Sequence, residues 1–199
     1  FERVGIIRVR NPIQFLETLK LICISGIPQD NKLVAFTCSG GGATMIADYA
    51  EQIGLRLPPY SNTGAKNLEN LLPEIATVSN PLDYTTPIWG NEKKTGPVFS
   101  TAMKESKASI ALLLQDYPAE GLDESEMSYI NDARAFIKSA KTLRIPGIIC
   151  STFPENMKKS IRDNFLAQKI APMLGIEDTL DSIKLASDYN FQQKRARQT

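Results

Sequence analysis

The sequence predicts an α/β domain built on a doubly wound, mainly parallel sheet of five or six strands, with helices on both faces. Three observations lead there. Short runs rich in β-branched residues alternate with longer segments of helical period, the pattern of repeated βα units. The clearest runs, residues 33–37 and 108–114, are apolar except at Thr37 and Ser109, as strands covered on both faces should be. A chain of 199 residues with 42% hydrophobic residues can also bury a substantial core without disulfides or a structural metal.

Taken in order, residues 4–9 read as a first strand. Asn11-Pro12 then opens a helix through Ile13, Leu16, Leu19 and Ile22, with Pro12 in the first turn. Residues 33–37 form the clearest buried strand, followed by Ser39-Gly40-Gly41-Gly42 as a tight loop. A helix over 43–53 stops at Gly54 in a C-cap position. Prolines 58, 59, 73, 81 and 87 break the pattern between 55 and 90, where only 65–72 looks helical; this stretch is expected to supply functional loops. A helix over 95–104 leads to a central strand at 108–114. A long helix over 123–140 follows, with Asp123 as N-cap and Glu126 at the capping-box position. A strand at 145–150, a helix over 155–168, a short strand at 171–175 and a charged closing helix over 179–194 complete the pattern. No internal repeat is present, so residues 1–190 are expected to form a single domain. Residues 191–199 are expected to be a basic tail or the start of a linker to a following domain.

Composition excludes several classes of function. The formal charge of +1 supplies no field for nucleic acid or an anionic membrane, and only Lys194-Arg195-Ala196-Arg197 is locally basic. No apolar stretch is long enough for a membrane span, and residues 1–30 lack a signal-peptide layout. Cys23, Cys38 and Cys150 lie far apart, form no CxxC pair and sit in or beside apolar runs, which suggests reduced, mostly buried thiols in a cytoplasmic protein. The chain has no histidine, which excludes Ser-His-Asp and Cys-His catalysis and most zinc sites. No metal ligands are expected here.

Ligands of an open parallel sheet bind beyond the carboxyl ends of its strands. The most ligand-ready junction is Thr37-Cys38-Ser39-Gly40-Gly41-Gly42-Ala43-Thr44. Its glycines can aim several N–H groups at one anion, and the following helix adds about half a positive charge at its start. Ser39, Gly40, Gly41, Gly42, Ala43 and Thr44 are therefore the candidate phosphate-binding residues, with the Ser39 and Thr44 hydroxyls as further donors. The competing reading is that the glycines only serve a crowded turn. The loop has neither the lysine of a P-loop nor the spacing of a dinucleotide fingerprint. Cys38, at a helix start, is a weak nucleophile candidate without a histidine to activate it, and a small-residue slot suits it better. Ser79-Asn80-Pro81-Leu82-Asp83 places an amide and a carboxylate, Asn80 and Asp83, on a stiff loop that is either part of the site or an ordinary turn. Trp89 is expected to pack across a loop or an interface.

Together these segments resemble the NDP-forming acyl-CoA synthetase family, which includes ADP-forming acetyl-CoA synthetases and is related to succinyl-CoA synthetase. Residues 4–9 resemble the segment that follows the family's phosphohistidine motif, a Ser-His-Thr-Gly sequence expected just upstream of Phe1. Residues 33–48 resemble its strand, glycine loop and small-residue helix, with Ala47-Asp48 matching an Ala-Asp pair. Gly54-Leu55 resembles a Gly-Leu after that helix, and Asn80-Pro81-Leu82-Asp83 matches an Asn-Pro-hydrophobic-Asp motif. The joint spacing makes the likeness specific.

The resemblance implies a flavodoxin-like CoA-ligase domain, part of an acid-thiol ligase that interconverts acyl-CoA, phosphate and ADP with carboxylate, CoA and ATP. A phosphohistidine on a mobile loop carries the phosphoryl group, and the helix starting at Gly40 is one of two whose positive ends face it. CoA, ATP or ADP and Mg would serve the complete enzyme, through CoA-binding and ATP-grasp domains that are fused or separate. This stretch alone would hold no catalytic residue and be inactive, and homo-oligomerisation is left open. Cys38 stands where the family commonly has Asn or Ser, and Tyr84-Thr85-Thr86-Pro87 replaces a Gly-containing continuation, which leaves room for an unusual acyl substrate. The alternative is a non-catalytic flavodoxin-like module binding FMN or a small anion.

Overall fold

The computed structural model describes residues 5–117, 121 and 125–196. Five strands, β1 (Leu33–Thr37), β2 (Leu82–Asp83), β3 (Ile110–Leu114), β4 (Gly147–Ser151) and β5 (Ala171–Leu174), form one all-parallel sheet in the order β2-β1-β3-β4-β5. This is the flavodoxin-like order, whose winding reverses between β1 and β3. Among the described residues, seven α-helices connect and cover it: α1 (Pro12–Lys20), α2 (Gly40–Ile53), α3 (Asn62–Glu69), α4 (Glu92–Ser106), α5 (Glu126–Leu143), α6 (Lys159–Ala167) and α7 (Ile176–Ala196).

Strands β1, β3 and β4 are buried at every residue because helices lie on both faces. Val34, Phe36, Ala111, Leu113 and Ile149 pack with side chains of α3, α4, α5 and α6, where Phe36, Phe99 and Tyr84 meet edge to face at centroid distances of 4.9 and 5.1 Å. Leu33, Ala35, Leu112, Ile148 and Cys150 pack on the opposite face, against α2 and α7.

Helix α1 is turned the opposite way from an ordinary amphipathic helix. Its periodic apolar residues Ile13, Leu16 and Leu19 are exposed, with Phe15 beside them, whereas Gln14, Glu17 and Thr18 are buried. The buried face is polar because α7 and the end of β5 present polar partners to it. Gln14 Nε2 donates to Asp181 at 2.9 Å, the Thr18 hydroxyl donates to Ser182 at 3.1 Å, and Glu17 accepts from the Leu174 amide at 3.0 Å.

Several expected boundaries move. Residues 6–9 form no strand. Ile6, Ile7 and Arg8 lie beside Leu185, Tyr189 and Gln192 of α7, and Arg10 pairs with Asp181 at 2.9 Å, so this segment follows the helix and does not join the sheet; Val4 lies outside the described residues. Past α1 the chain widens into a π-helical turn, Leu21–Ser25. Helix α2 begins three residues early, at Gly40, because Ser39 caps it. It ends at Gly54 with φ 73°, the left-handed conformation glycine accepts readily. Ser61 and Asn91 cap α3 and α4, moving both starts ahead of the expected positions. The expected cap Asp123 lies outside the described residues, and Glu126 is the first residue of α5. Pro154–Asn156 is a separate 3-10 turn before α6. Helix α7 runs through 191–196, where a tail was expected, and residues 197–199 lie outside the described residues. Cys23 is exposed, contrary to its apolar setting in sequence, while Cys38 is half-buried and Cys150 buried. Among the described residues no helix is long and apolar enough to cross a membrane.

Candidate functional site

The start of α2 lies just past the carboxyl end of β1, at the point where the winding reverses. Ser39 is the N-cap, with φ −137° and ψ 120°, and its Oγ accepts from the Gly42 amide at 3.3 Å. The Ala43 amide donates to the Ser39 carbonyl at 3.0 Å. Gly40 and Gly41 are then the first-turn amides without an intrahelical acceptor, and both residues are exposed together with Ser39. None of the three glycines has a positive φ. Only Gly42 is sterically required, because a Cβ there would lie 2.9 Å from Leu114 Cδ2 and 3.1 Å from Thr37 Oγ1. The Thr44 hydroxyl donates to the Gly40 carbonyl at 3.0 Å, which engages the proton the sequence offered to a ligand. Ala43 is half-buried behind the turn.

Asn80 and Asp83 part company. The Asn80 carboxamide pairs with backbone along the free edge of β1: Oδ1 accepts from the Ala35 amide at 3.1 Å, and Nδ2 donates to the Leu33 carbonyl at 2.8 Å and the Pro58 carbonyl at 3.2 Å. It substitutes for the strand residues that β2 is too short to supply. Asp83 stands beside the helix start, with Oδ2 3.6 Å from the position of a Cβ on Gly40. Its Oδ1 accepts from the Thr85 amide at 2.9 Å. Thr85 adopts φ 65°, strained for a β-branched residue, and its buried hydroxyl has no partner among the described residues.

A cleft of about 340 Å3 joins the α2 start to the carboxyl ends of β3 and β4, lined among others by Cys38, Ser39, Gly41, Gln115, Asp116 and Tyr129. The Asp116 carboxylate is held by the Thr152 amide at 2.8 Å. Gln115 is buried, accepts from the Tyr117 hydroxyl at 2.7 Å, and leaves its Nε2 without a partner among the described residues. No lysine or arginine lines the cleft among the described residues. A larger groove of about 670 Å3 between α4 and α5 lies away from the strand ends and is lined by no buried polar atom lacking a partner. The smaller cleft is therefore the chemical candidate.

Electrostatics argue against a reactive thiol. Burial pushes Cys38 up to about 11, helped by the nearby carboxylates of Asp132 and Asp83, so the helix start does not make it a thiolate at neutral pH. Asp132, fully buried on α5, accepts from the Tyr84 hydroxyl at 2.8 Å and the Gly90 amide at 3.0 Å. Burial pushes its carboxyl up to about 6 against those hydrogen bonds. Trp89 packs edge to face on Tyr129 at 4.8 Å, the loop-crossing role expected of it. Among the described residues no three His, Cys, Asp or Glu side chains gather into a metal-binding group.

Gln115 and Asp116 were not singled out by sequence. The available signal was position: they directly follow β3, the strand beside β1 at the reversal point, where ligand-facing residues concentrate. A lone Gln-Asp pair carries no spacing pattern that would separate it from an ordinary loop.

Fold and cleft define a flavodoxin-like α/β domain with an open helix start at the switch point. The curated proteins it is similar to are ADP-forming acetate–CoA ligases, in line with the family resemblance carried by the residues. The Methanocaldococcus jannaschii ADP-forming acetate–CoA ligase is 28% identical over 83 residues, 42% of this chain and 12% of that protein. The alpha subunit of a Pyrococcus furiosus ADP-forming acetate–CoA ligase II is 26% identical over 92 residues, 46% of this chain and 20% of that one. The matches therefore span only a small part of these curated relatives. The apo form of a dinucleotide-forming acetyl-coenzyme A synthetase 1 from Ca. Korarchaeum cryptofilum superposes on all of the chain with a TM-score of 0.76 at 17% identity, using 42% of its own length. A Pyrococcus horikoshii protein superposes on 96% of it with a TM-score of 0.79 at 16% identity, using 43% of its own length. No protein-family model matches the chain.

Proposed function

We propose that this chain is the CoA-ligase domain of an NDP-forming acyl-CoA synthetase and receives the enzyme's phosphohistidine loop at the start of α2. The observation that carries this reading is the pair of exposed first-turn amides, Gly40 and Gly41, placed at the switch point of a fold shared with acetyl-CoA synthetases. Two N–H donors and the helix field stabilise a phosphoryl group while the loop carries it between acyl phosphate and nucleotide. Ser39 adds a hydroxyl, and Gly42 lets the turn pack on Leu114. Asp83, beside Gly40, is placed to accept from the imidazole that bears the phosphoryl group.

A polyphosphate nucleotide does not fit this cleft, which offers Asp116 but no Lys or Arg among its described lining residues, and no clustered carboxylates for Mg. The same reading assigns CoA, ATP or ADP, and Mg to partner domains, CoA-binding and ATP-grasp, fused or separate. The chain acts as one domain, joined to its neighbours in a cytoplasmic enzyme. The test is to incubate the full-length protein with acetyl-CoA, labelled inorganic phosphate and ADP. Label on a histidine and ATP formation are expected; the absence of both, or a yellow protein with bound FMN, would overturn the proposal.

A further inference from the structure

Among the described residues, the cleft holds one buried polar group that the fold leaves unsatisfied. Gln115 is 4% exposed, and the hydroxyl of the fully buried Tyr117 donates to its Oε1 at 2.7 Å, which fixes the plane of the carboxamide. Its Nε2 has no partner among the described residues, although Gln115 lines the same cleft as Ser39 and Gly41. Buried donors in folded proteins nearly always find an acceptor, so an unmet one beside an open helix start points to an acceptor that arrives with a ligand. The surroundings narrow its chemistry. The lining presents N–H and hydroxyl donors, one carboxylate and, among the described residues, no cation. Such a site holds a free phosphate dianion poorly, but it suits a phosphoryl group delivered on a tethered side chain, whose attachment supplies the effective concentration.

We infer that Gln115 is a positioning residue: its Nε2 donates to an oxygen of the phosphoryl group carried in on the histidine loop, alongside the Gly40 and Gly41 amides. This rests on the ligase-domain reading above. Gln115 exchanges no proton; it distinguishes the phosphorylated loop from the bare one, and Tyr117 holds it in register.

The test compares Gln115→Met and Gln115→Glu in the full-length protein, with Gly40→Pro as a separate arm. The readout is the equilibrium level of phosphohistidine formed from acetyl-CoA and labelled inorganic phosphate. Losing one donor to a charged acceptor lowers that level about tenfold in the Met variant, and an added like charge lowers it about a further tenfold in the Glu variant. A purely structural Gln115 predicts the reverse order, because Glu keeps the acceptor for Tyr117 and Met does not. Equal levels in the two variants, or the reverse order, overturn the Gln115 assignment; a loss in Gly40→Pro would still leave the helix-start reading standing. No labelled histidine in the parent protein overturns both. Should either variant fail to fold, the side-chain amide resonances of Gln115 in the parent decide: a shift on phosphorylation is expected, and none overturns the assignment.

Discussion

Replacing Gly40 with proline removes a single hydrogen-bond donor from the proposed phosphoryl site and leaves the helix in place. Gly40 is the first residue of α2, where proline's fixed φ is welcome and its missing N–H leaves no intrahelical bond broken. Ser39, with φ −137° and ψ 120°, already has the extended backbone that a following proline requires. A Cβ at this position meets Asp83 Oδ2 at 3.6 Å, an ordinary contact. Stability should therefore change little, while a bond from an amide to a charged phosphoryl oxygen is worth about 1.5–3 kcal/mol. At about 1.4 kcal/mol per tenfold, phosphoryl transfer in the full-length protein falls roughly 10- to 150-fold. Gly40→Ala, which adds the Cβ but keeps the N–H, serves as control and stays within about threefold of the parent, the effect of roughly 0.6 kcal/mol. The assay is rapid-quench transfer of label from phosphohistidine to ADP, with the unfolding midpoint measured in parallel. Equal rates in the Pro and Ala variants would refute the reasoning, because the helix field survives in both and only the donor differs.

Stability should also depend on pH through Asp132. Burial raises its carboxyl to about 6, so between roughly pH 4 and 6 the folded protein binds more protons than the unfolded chain. Stability then falls as pH rises through that window, by about 3 kcal/mol at 1.36 kcal/mol per unit, and Asp132→Asn should flatten this part of a denaturation profile; an unchanged slope would refute the assignment. Asn80→Ala leaves the Ala35 amide and Leu33 carbonyl of buried β1 unpaired, and chemical denaturation should show a loss of about 1–3 kcal/mol per group. Leu16→Lys, on the exposed apolar face of α1, should change the unfolding free energy by no more than about 0.5 kcal/mol, whereas a helix packed by that face would lose several times as much.

The sequence displayed the sheet where side chains alone decide it. Residues 33–36 and 110–114 are apolar without alternation, and that pattern requires cover on both faces. It hid β2, a two-residue strand among prolines, because the β1 edge there is completed by the Asn80 side chain and not by strand backbone. Periodicity located α1 but not the side it buries. Partners on α7, Asp181 and Ser182, reverse the usual choice, and nothing local to residues 12–20 announces them. The β-branched run at 6–9 had strand composition but no free sheet edge to join, and it lies on α7 instead. At the site, three glycines and a serine after a buried strand marked the α2 start, since few other roles need small residues there. Gln115 was invisible for a different reason: its burial and its unmet N–H exist only once Tyr117 has packed beneath it.

The most direct measurement follows the backbone amide resonances of Gly40 and Gly41 in isotope-labelled full-length protein as the histidine of the proposed loop is phosphorylated enzymatically. Both amide protons should move downfield, as N–H groups do when they acquire an anionic acceptor, while Gly54 at the far end of the same helix stays put. A fully phosphorylated protein in which Gly40 and Gly41 keep their original shifts would contradict docking of the phosphoryl group at this helix.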